Sequence, residues 1–220
     1  MNKDLSKPIK KYKNLGREVK ATLWYAVSNT LLKAISLITV PIFTRVLSEE
    51  DYGIVNVYNG WHDIIFILAT LNLYYSAYNT ANIKYKDDLD RFTSSMLGLI
   101  GVISAIIVVL YFIARSFFDR VLELSPPLLL VILVEILTVP AYNFWMARER
   151  FRFNYKNVVI ITMSASVLAP ILSLILISIS NDNKAFMKVL GTVFPIILIG
   201  AVLTLDFFRK GKMFFNKEYW

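Results

Sequence analysis

Long apolar runs, broken by short charged segments, make up most of this chain. Met96–Ile113, Pro126–Trp145 and Val158–Ser180 contain almost no charged residues. Each run is close to the roughly 20 residues that a helix needs to cross a hydrocarbon core of about 30 Å. None alternates with the period of two that marks the strands of a membrane barrel, and backbone groups inside a bilayer must be bonded within a helix or a closed barrel. The pattern therefore predicts an all-α fold, a polytopic membrane helix bundle.

The charged breaks divide the chain into six predicted transmembrane helices. They are Thr22–Leu47, Ile54–Asn79, Phe92–Phe118, Pro126–Ala147, Asn157–Ser180 and Ala185–Phe207. The predicted organisation is a basic tail over residues 1–21, the six-helix bundle over residues 22–208 and a second basic tail over residues 209–220.

Composition removes several classes of protein. The chain is 56% apolar and 18% charged, with a mean hydropathy of +0.55, whereas a soluble domain averages about 45–50% and about 25%. A soluble enzyme, a coiled coil and a disordered tail are therefore excluded. The chain has no cysteine and one histidine, His62, so we expect no disulfide, no metal site and no cofactor. It also has no glycine-rich phosphate loop, catalytic carboxylate pair or nucleophile motif, so we expect no enzyme.

The positive charge is unevenly placed along the chain. The net charge is +8, and 18 of the 24 Lys and Arg residues lie in the two tails and in the second and fourth loops. Five lie on the other side of the predicted membrane, and Lys33 lies inside the first span. Because basic residues collect on the cytoplasmic side, both termini are predicted to be cytoplasmic. The location beside apolar spans indicates membrane lipids as partners and gives no indication of nucleic acid.

Lys33 is the most costly residue in the predicted spans. It lies eleven residues past Thr22, so about 16 Å into the bilayer, where a charge costs at least about 2.5–3.5 kcal/mol. Asn29 and Ser36 flank it at i−4 and i+3 and form a polar stripe on one helix face. Three interpretations stay open: an ion pair with Glu135 or Asp63, a cation lining a wet cavity for an anionic substrate, or a lysine that snorkels from the bundle surface.

Four further polar positions lie inside the predicted spans. Glu135 lies nine residues into the fourth span, and Tyr142 continues its helical face. Asp63 lies nine residues into the second span, and Asn72 belongs to a polar row further along it. Glu135 is interpreted either as an ion-pairing residue or as a proton- or ion-coupling residue. Asp63 has the same two interpretations unless its helix begins nearer Trp61, which would make it interfacial.

The first two spans carry a familiar pattern of residues. Residues 24–29 read Trp-Tyr-Ala-Val-Ser-Asn, and residues 39–53 read Thr-Val-Pro-Ile-Phe-Thr-Arg-Val-Leu-Ser-Glu-Glu-Asp-Tyr-Gly. Together with Phe92–Leu99 they resemble the N-terminal part of the bacterial polysaccharide (oligosaccharide) flippases, in the multidrug/oligosaccharidyl-lipid/polysaccharide exporter superfamily. The resemblance is strongest over residues 20–100.

The resemblance implies a two-lobe transporter. The family is described as two six-helix lobes around a central cationic cavity, through which a lipid-linked oligosaccharide passes by alternating opening of the lobes. Six spans would match the N-terminal lobe, and a second lobe would come from the same reading frame or from another subunit. By position, Lys33 and Arg45 would belong to the cationic lining. Arg45 has a second interpretation, as a tie between the first span and the acidic loop at Glu49–Asp51.

The resulting hypothesis is one lobe of a translocator of lipid-linked oligosaccharide in the bacterial inner membrane. The predicted substrate or cavity residues are Lys33, Asn29, Ser36, Arg45, Asn72 and Tyr142. One alternative is a cation-coupled multidrug exporter in which Glu135 and Asp63 are the coupling carboxylates. Another is a non-transporting membrane scaffold in which Lys33 and Glu135 form a packing pair.

Overall fold

The computed structural model describes residues 15–180 and 182–220 of the chain, with only the backbone of Ser76. Most of the predicted N-terminal basic tail lies outside the described residues. The described part contains eight helices and no strands, which confirms the prediction of an all-helical chain for that part. The helices are α1 (Arg17–Val46), α2 (Glu49–Thr70), α3 (Ser76–Lys84), α4 (Leu89–Ile113), α5 (Arg115–Leu122), α6 (Pro126–Phe151), α7 (Tyr155–Ile179) and α8 (Lys184–Gly211).

Five of the described helices, α1, α4, α6, α7 and α8, are long and apolar enough to cross a bilayer. Large apolar side chains on their perimeter are exposed, among them Leu37 and Ile113 at 76% and 77%. A soluble protein would bury such residues, whereas lipid accepts them at no cost. α2 is not among the five because its middle carries four polar residues. These are Asn56, Asn59, His62 and Asp63.

The second predicted span, Ile54–Asn79, is not one continuous helix. α2 ends at Thr70, and the chain turns before α3 begins at Ser76. Leu71 and Asn72 adopt left-handed backbone conformations with φ of 48° and 50°, which end an α-helix. The Tyr74 hydroxyl donates to Asn72 Oδ1 at 2.9 Å and holds the turn. The third predicted span, Phe92–Phe118, is also interrupted: a break at Ala114 divides it between α4 and the start of α5.

The two ends of the bundle differ in charge. At one end, called here the basic end, the Arg17 side chain at the start of α1 donates to Phe153 O and Asn154 Oδ1 in the α6–α7 turn. Arg148 of α6 forms an ion pair there with Asp90 of α4. At the opposite end Ser48 and Asp51 form a capping box that starts α2, and Asp51 Oδ1 also accepts the backbone N–H of Ala185 at 3.2 Å.

α6 and α8 form the centre of the bundle, and α1 lies at its edge. α8 packs against α2, α4, α6 and α7, whereas α1 packs chiefly against α7. Two glycines of α8 allow close approach: a Cβ on Gly191 would lie 2.4 Å from the backbone nitrogen of Ser173 in α7, and one on Gly200 would lie 2.4 Å from Thr138 O in α6. Small residues at helix crossings are typical of membrane bundles. The peripheral α1 and the central helices leave a cavity between them.

Candidate functional site: a polar cavity inside the bundle

A cavity of about 480 Å³ lies between α1, α2, α6, α7 and α8. On α1 it extends from Leu32 to Phe43, a distance of about 16 Å along the helix axis. Its apolar wall includes Ile35, Val40, Val55 and Ala169. Its polar lining consists of Ser36, Thr39, Tyr52, Asn56, Asn59, Tyr142, Thr162, Ser166, Lys188 and Thr192. Polar residues are thus contributed by all five helices.

The hydroxyl groups of this lining can still accept hydrogen bonds. Thr162 Oγ1 donates to Val158 O at 2.7 Å, Ser166 Oγ to Thr162 O at 2.8 Å and Thr192 Oγ1 to Lys188 O at 2.8 Å. A hydroxyl that donates to its own helix keeps its oxygen lone pairs. The side chains of Asn56 and Asn59 are exposed on the α2 wall and offer both donors and acceptors. The lining therefore suits a ligand rich in hydroxyl groups.

Lys188 is the cation of the cavity wall. It lies one turn into α8, is partly buried, and its Nζ lies 5.7 Å from the ring centroid of Phe43 on α1. Among the residues that the structure describes, no carboxylate lies within ion-pair distance of it. The charge of its ammonium group is therefore available to an anion in the cavity. In the sequence, Lys188 is one of the five basic residues counted on the side of the membrane opposite the tails, near the start of the sixth predicted span.

Lys33 lies beside this cavity, not on its wall. Its side chain is exposed on α1, in a groove of about 650 Å³ lined by α1 residues alone. The groove shares Leu32, Ser36 and Val40 with the cavity, so Lys33 lies at the cavity's edge. Asn29 is exposed one turn earlier and lines neither space within the described residues.

The other predicted cavity residues divide into two groups. Ser36 and Tyr142 line the cavity, and the Tyr142 ring stacks on Trp145 with centroids 6.4 Å apart. Arg45 is exposed near the end of α1, and no ion pair joins it to the acidic loop among the described residues. Asn72 belongs to the turn after α2 and does not line the cavity.

Glu135 forms a buried cluster with α2, and among the described residues no ion pair joins it to Lys33. Glu135 is 5% exposed, and its Oε2 accepts a hydrogen bond from the Tyr58 hydroxyl. His62 Nε2 lies 3.6 Å from Glu135 Oε1, and His62 Nδ1 lies 3.1 Å from Asp63 Oδ1. Because Tyr58 and His62 are four residues apart, both reach Glu135 from one face of α2.

Asp63 lies in the C-terminal half of α2, which begins well before Trp61. α2 begins at Glu49, so Asp63 is about 21 Å along it. Its side chain is 77% exposed, and it lies on the same face of α2 as Asn56 and Asn59, at i+7 and i+4. The cluster of Tyr58, His62, Asp63 and Glu135 therefore connects the interior with the cavity face of α2.

Several of these residues were not predicted from sequence. Tyr58, His62, Asn56, Asn59 and Lys188 received no role there. The i, i+3, i+7 spacing of Asn56, Asn59 and Asp63 is the signal that identifies the polar face of α2. No group of three or more His, Cys, Asp or Glu side chains is placed to hold a metal ion within residues 15–180 and 182–220.

Comparison with known proteins gives one match. A family model described as "Polysaccharide biosynthesis protein" matches residues 19–220. No curated protein and no solved structure matches the chain. The matched range begins two residues into α1 and includes every residue that lines the cavity.

Proposed function

Since the chain belongs to the polysaccharide biosynthesis protein family, we propose that it forms one six-span lobe of a translocator for lipid-linked oligosaccharide. The family match confirms the resemblance found in residues 24–53 and 92–99, and it makes this a membrane protein of polysaccharide biosynthesis. The single observation that carries the proposal is the polar cavity with Lys188 on its wall.

In this proposal α2 also crosses the membrane, which together with the five long apolar helices makes six spans. Its 22 residues extend about 33 Å, enough for the hydrocarbon core. A helix with asparagines and an aspartate in its middle is unfavourable against lipid. The cavity removes that cost, because it gives the polar face of α2 an aqueous surface, while Ile64 and Leu68 face outward at 51% and 60% exposure. α3 then continues the polypeptide along the basic end.

The proposed substrate matches the chemistry of the cavity. A lipid-linked oligosaccharide carries phosphate next to sugar, and phosphate needs a positive charge to enter the core of a membrane. Lys188 supplies that charge, with Lys33 at the edge of the same space. The hydroxyl and amide groups of the lining pair with sugar hydroxyls, and the apolar wall accommodates the start of the lipid chain.

Transport by this lobe requires a second lobe. The second lobe closes the cavity on the side that α1 leaves open. Alternating access then follows from rocking of the two lobes about the substrate site, as in many secondary transporters. The basic end is proposed as the cytoplasmic side of the bacterial inner membrane, because Lys and Arg concentrate there. Under this orientation both termini are cytoplasmic, and the membrane lipids contact the basic residues.

Replacement of Lys188 tests the proposal. In cells whose surface polysaccharide depends on this protein, Lys188→Gln is expected to lower polymer export at least roughly tenfold, the change that about 1.4 kcal/mol of lost binding produces. Lipid-linked intermediates should accumulate on the cytoplasmic side. Arg120→Gln is the matched control, since it removes one positive charge from an exposed position of α5 at the same end of the bundle. If Lys188→Gln and Arg120→Gln export polymer equally well, with equal amounts of both variants in the membrane, the proposal is contradicted.

A second candidate function is cation-coupled drug export, which the buried carboxyl of Glu135 favours. The two candidates differ in what the cell loses. If Glu135→Gln abolishes resistance to a cationic drug while polymer export stays normal, the result favours drug export. The scaffold alternative is less favoured, because Glu135 accepts a hydrogen bond from Tyr58 and lies beside His62, and no ion pair joins it to Lys33 among the described residues.

A further inference from the structure

His62 stands between two carboxyl groups, and this arrangement requires an additional proton. Its Nδ1 faces Asp63 at 3.1 Å and its Nε2 faces Glu135 at 3.6 Å. A neutral imidazole donates from only one nitrogen and presents a lone pair at the other. A lone pair that faces an ionised carboxylate is repelled. The arrangement is therefore favourable only when the imidazole carries both protons or the carboxyl group facing the lone pair carries one.

The cluster is buried on the Glu135 side and exposed on the Asp63 side. Glu135 is 5% exposed, and His62 Nε2 is fully buried without a hydrogen-bond partner in the described part of the chain. Asp63, at the other side, is 77% exposed and lies on the cavity face of α2. A proton therefore reaches the cluster from its exposed side, where Asp63 lies.

Few other charged groups act on the cluster. Within the described residues, the ionisable groups that influence Glu135 are Tyr58, His62 and Asp63, all from α2. From α4, Tyr111 packs nearby, but its hydroxyl donates to Asp119 Oδ1 at 3.2 Å. The α8 side chains in contact with this core are apolar, Val189 and Val193 among them, while Lys188 lines the cavity.

We propose that His62 and Glu135 form a binding site for one exchangeable proton, which enters and leaves through Asp63. Asp63 gives a proton to Nδ1 of His62, and His62 gives its Nε2 proton to Oε1 of Glu135. One proton thus enters the cluster at Asp63, and one is bound at Glu135. Among the described residues no group of three or more His, Cys, Asp or Glu side chains is placed to hold a metal ion, here or elsewhere. The site lies at the contact of α2 with α6, and α2 carries the asparagines of the cavity wall. Its coupling to export rests on the function proposed above.

The single histidine of the chain allows a direct test. The full chain, purified through a tag without histidine and labelled with [¹⁵N]histidine, gives NMR signals from His62 alone. In lipid nanodiscs we expect these signals to change in two steps as the pH is varied, because two interacting groups titrate as a pair. Glu135→Gln removes the second group, so one step should be lost. A wild-type curve with one step, of the same form as that of Glu135→Gln, would overturn the proposal.

Two further variants complete the test. Asp206→Asn is the matched control: it removes a carboxylate that pairs with Lys210 at the basic end, and both steps should remain. Asp63→Asn lies at an exposed position and leaves the core intact, so it should keep two steps and displace the curve along the pH axis. A curve that superimposes on the wild-type one would overturn the role of Asp63. The NMR titration does not depend on export. A failure of the proton-site proposal can therefore be distinguished from a failure of the translocator proposal, which the Lys188→Gln export assay tests.

Discussion

Glu135 is a carboxyl group held inside the bundle by side chains of a single neighbouring helix. Tyr58 donates to one oxygen, and His62 lies 3.6 Å from the other. A buried carboxyl without such partners costs several kcal/mol. The phenol and the imidazole therefore stabilise the contact between α2 and α6 by giving this group a hydrogen-bond donor and a second polar neighbour.

Tyr58→Phe should weaken that contact. The ring stays in the core, while the donor to Glu135 is lost, so we expect the free energy of unfolding in mixed micelles to fall by about 1–2 kcal/mol, near the upper range for interhelical bonds in membranes. Tyr52→Phe is the control, since Tyr52 is partly buried on the same helix and its hydroxyl has no hydrogen bond within the described residues. Equal stability of the two variants would contradict a stabilising Tyr58–Glu135 bond.

The sequence identified polar residues within the predicted spans, but not which of them meet inside the bundle. Spacing along one helix identifies a shared face, as it did for Lys33, Asn29 and Ser36. Contacts between helices depend on tilt and rotation, which hydropathy does not contain. Lys188 illustrates this limit: the sequence placed it near the start of the sixth predicted span, but only the packing of α8 against its neighbouring helices shows that it lies on the cavity wall.

At the scale of elements, close contact between α7 and α8 holds one wall of the cavity. Gly191 lets the two backbones approach, and Ser173 Oγ donates to Lys188 O across the contact at 2.9 Å. This bond joins α7 to the turn of α8 that carries the cavity lysine. The wall position of Lys188 therefore depends on a glycine.

Gly191→Ala should separate these helices. The new Cβ would lie 2.4 Å from the Ser173 backbone nitrogen, and overpacking of this kind costs about 1–3 kcal/mol. We expect a lower melting temperature in nanodiscs and reduced export. Gly53→Ala is the control, because nothing lies within 4 Å of its Cβ; that change should be neutral or slightly stabilising, since alanine favours a helix. A melting temperature of Gly191→Ala equal to that of Gly53→Ala would contradict the tight contact.

The helices themselves were largely predictable, and their breaks were not. Apolar runs of about 20 residues leave a helix as the main choice in lipid, so α1, α6, α7 and α8 lie close to their predicted ranges. The end of α2 depends on left-handed backbone conformations at Leu71 and Asn72. Leucine gives no signal for that conformation, and asparagine alone gives a weak one.

At the scale of the whole molecule, the polar cavity is the feature that the account depends on. Residues from five helices line it, and they come from distant parts of the sequence, from Leu32 to Ile196. The apolar perimeter faces lipid, while Asn56, Asn59 and Asp63 form an exposed polar face on α2. If this face borders water, the bundle is built to pass a polar headgroup; if it borders lipid, it is not.

Thiol labelling measures this difference directly. The chain has no cysteine, so Asn59→Cys on the cavity face and Ile64→Cys on the outer face of the same helix each give one reactive site. Thiolates form only in contact with water, and a charged, membrane-impermeant thiol reagent should modify Asn59→Cys at least roughly tenfold faster than Ile64→Cys in native membranes. Equal rates at the two positions, with both variants present at normal levels, would contradict the hydrated cavity and the translocation that depends on it.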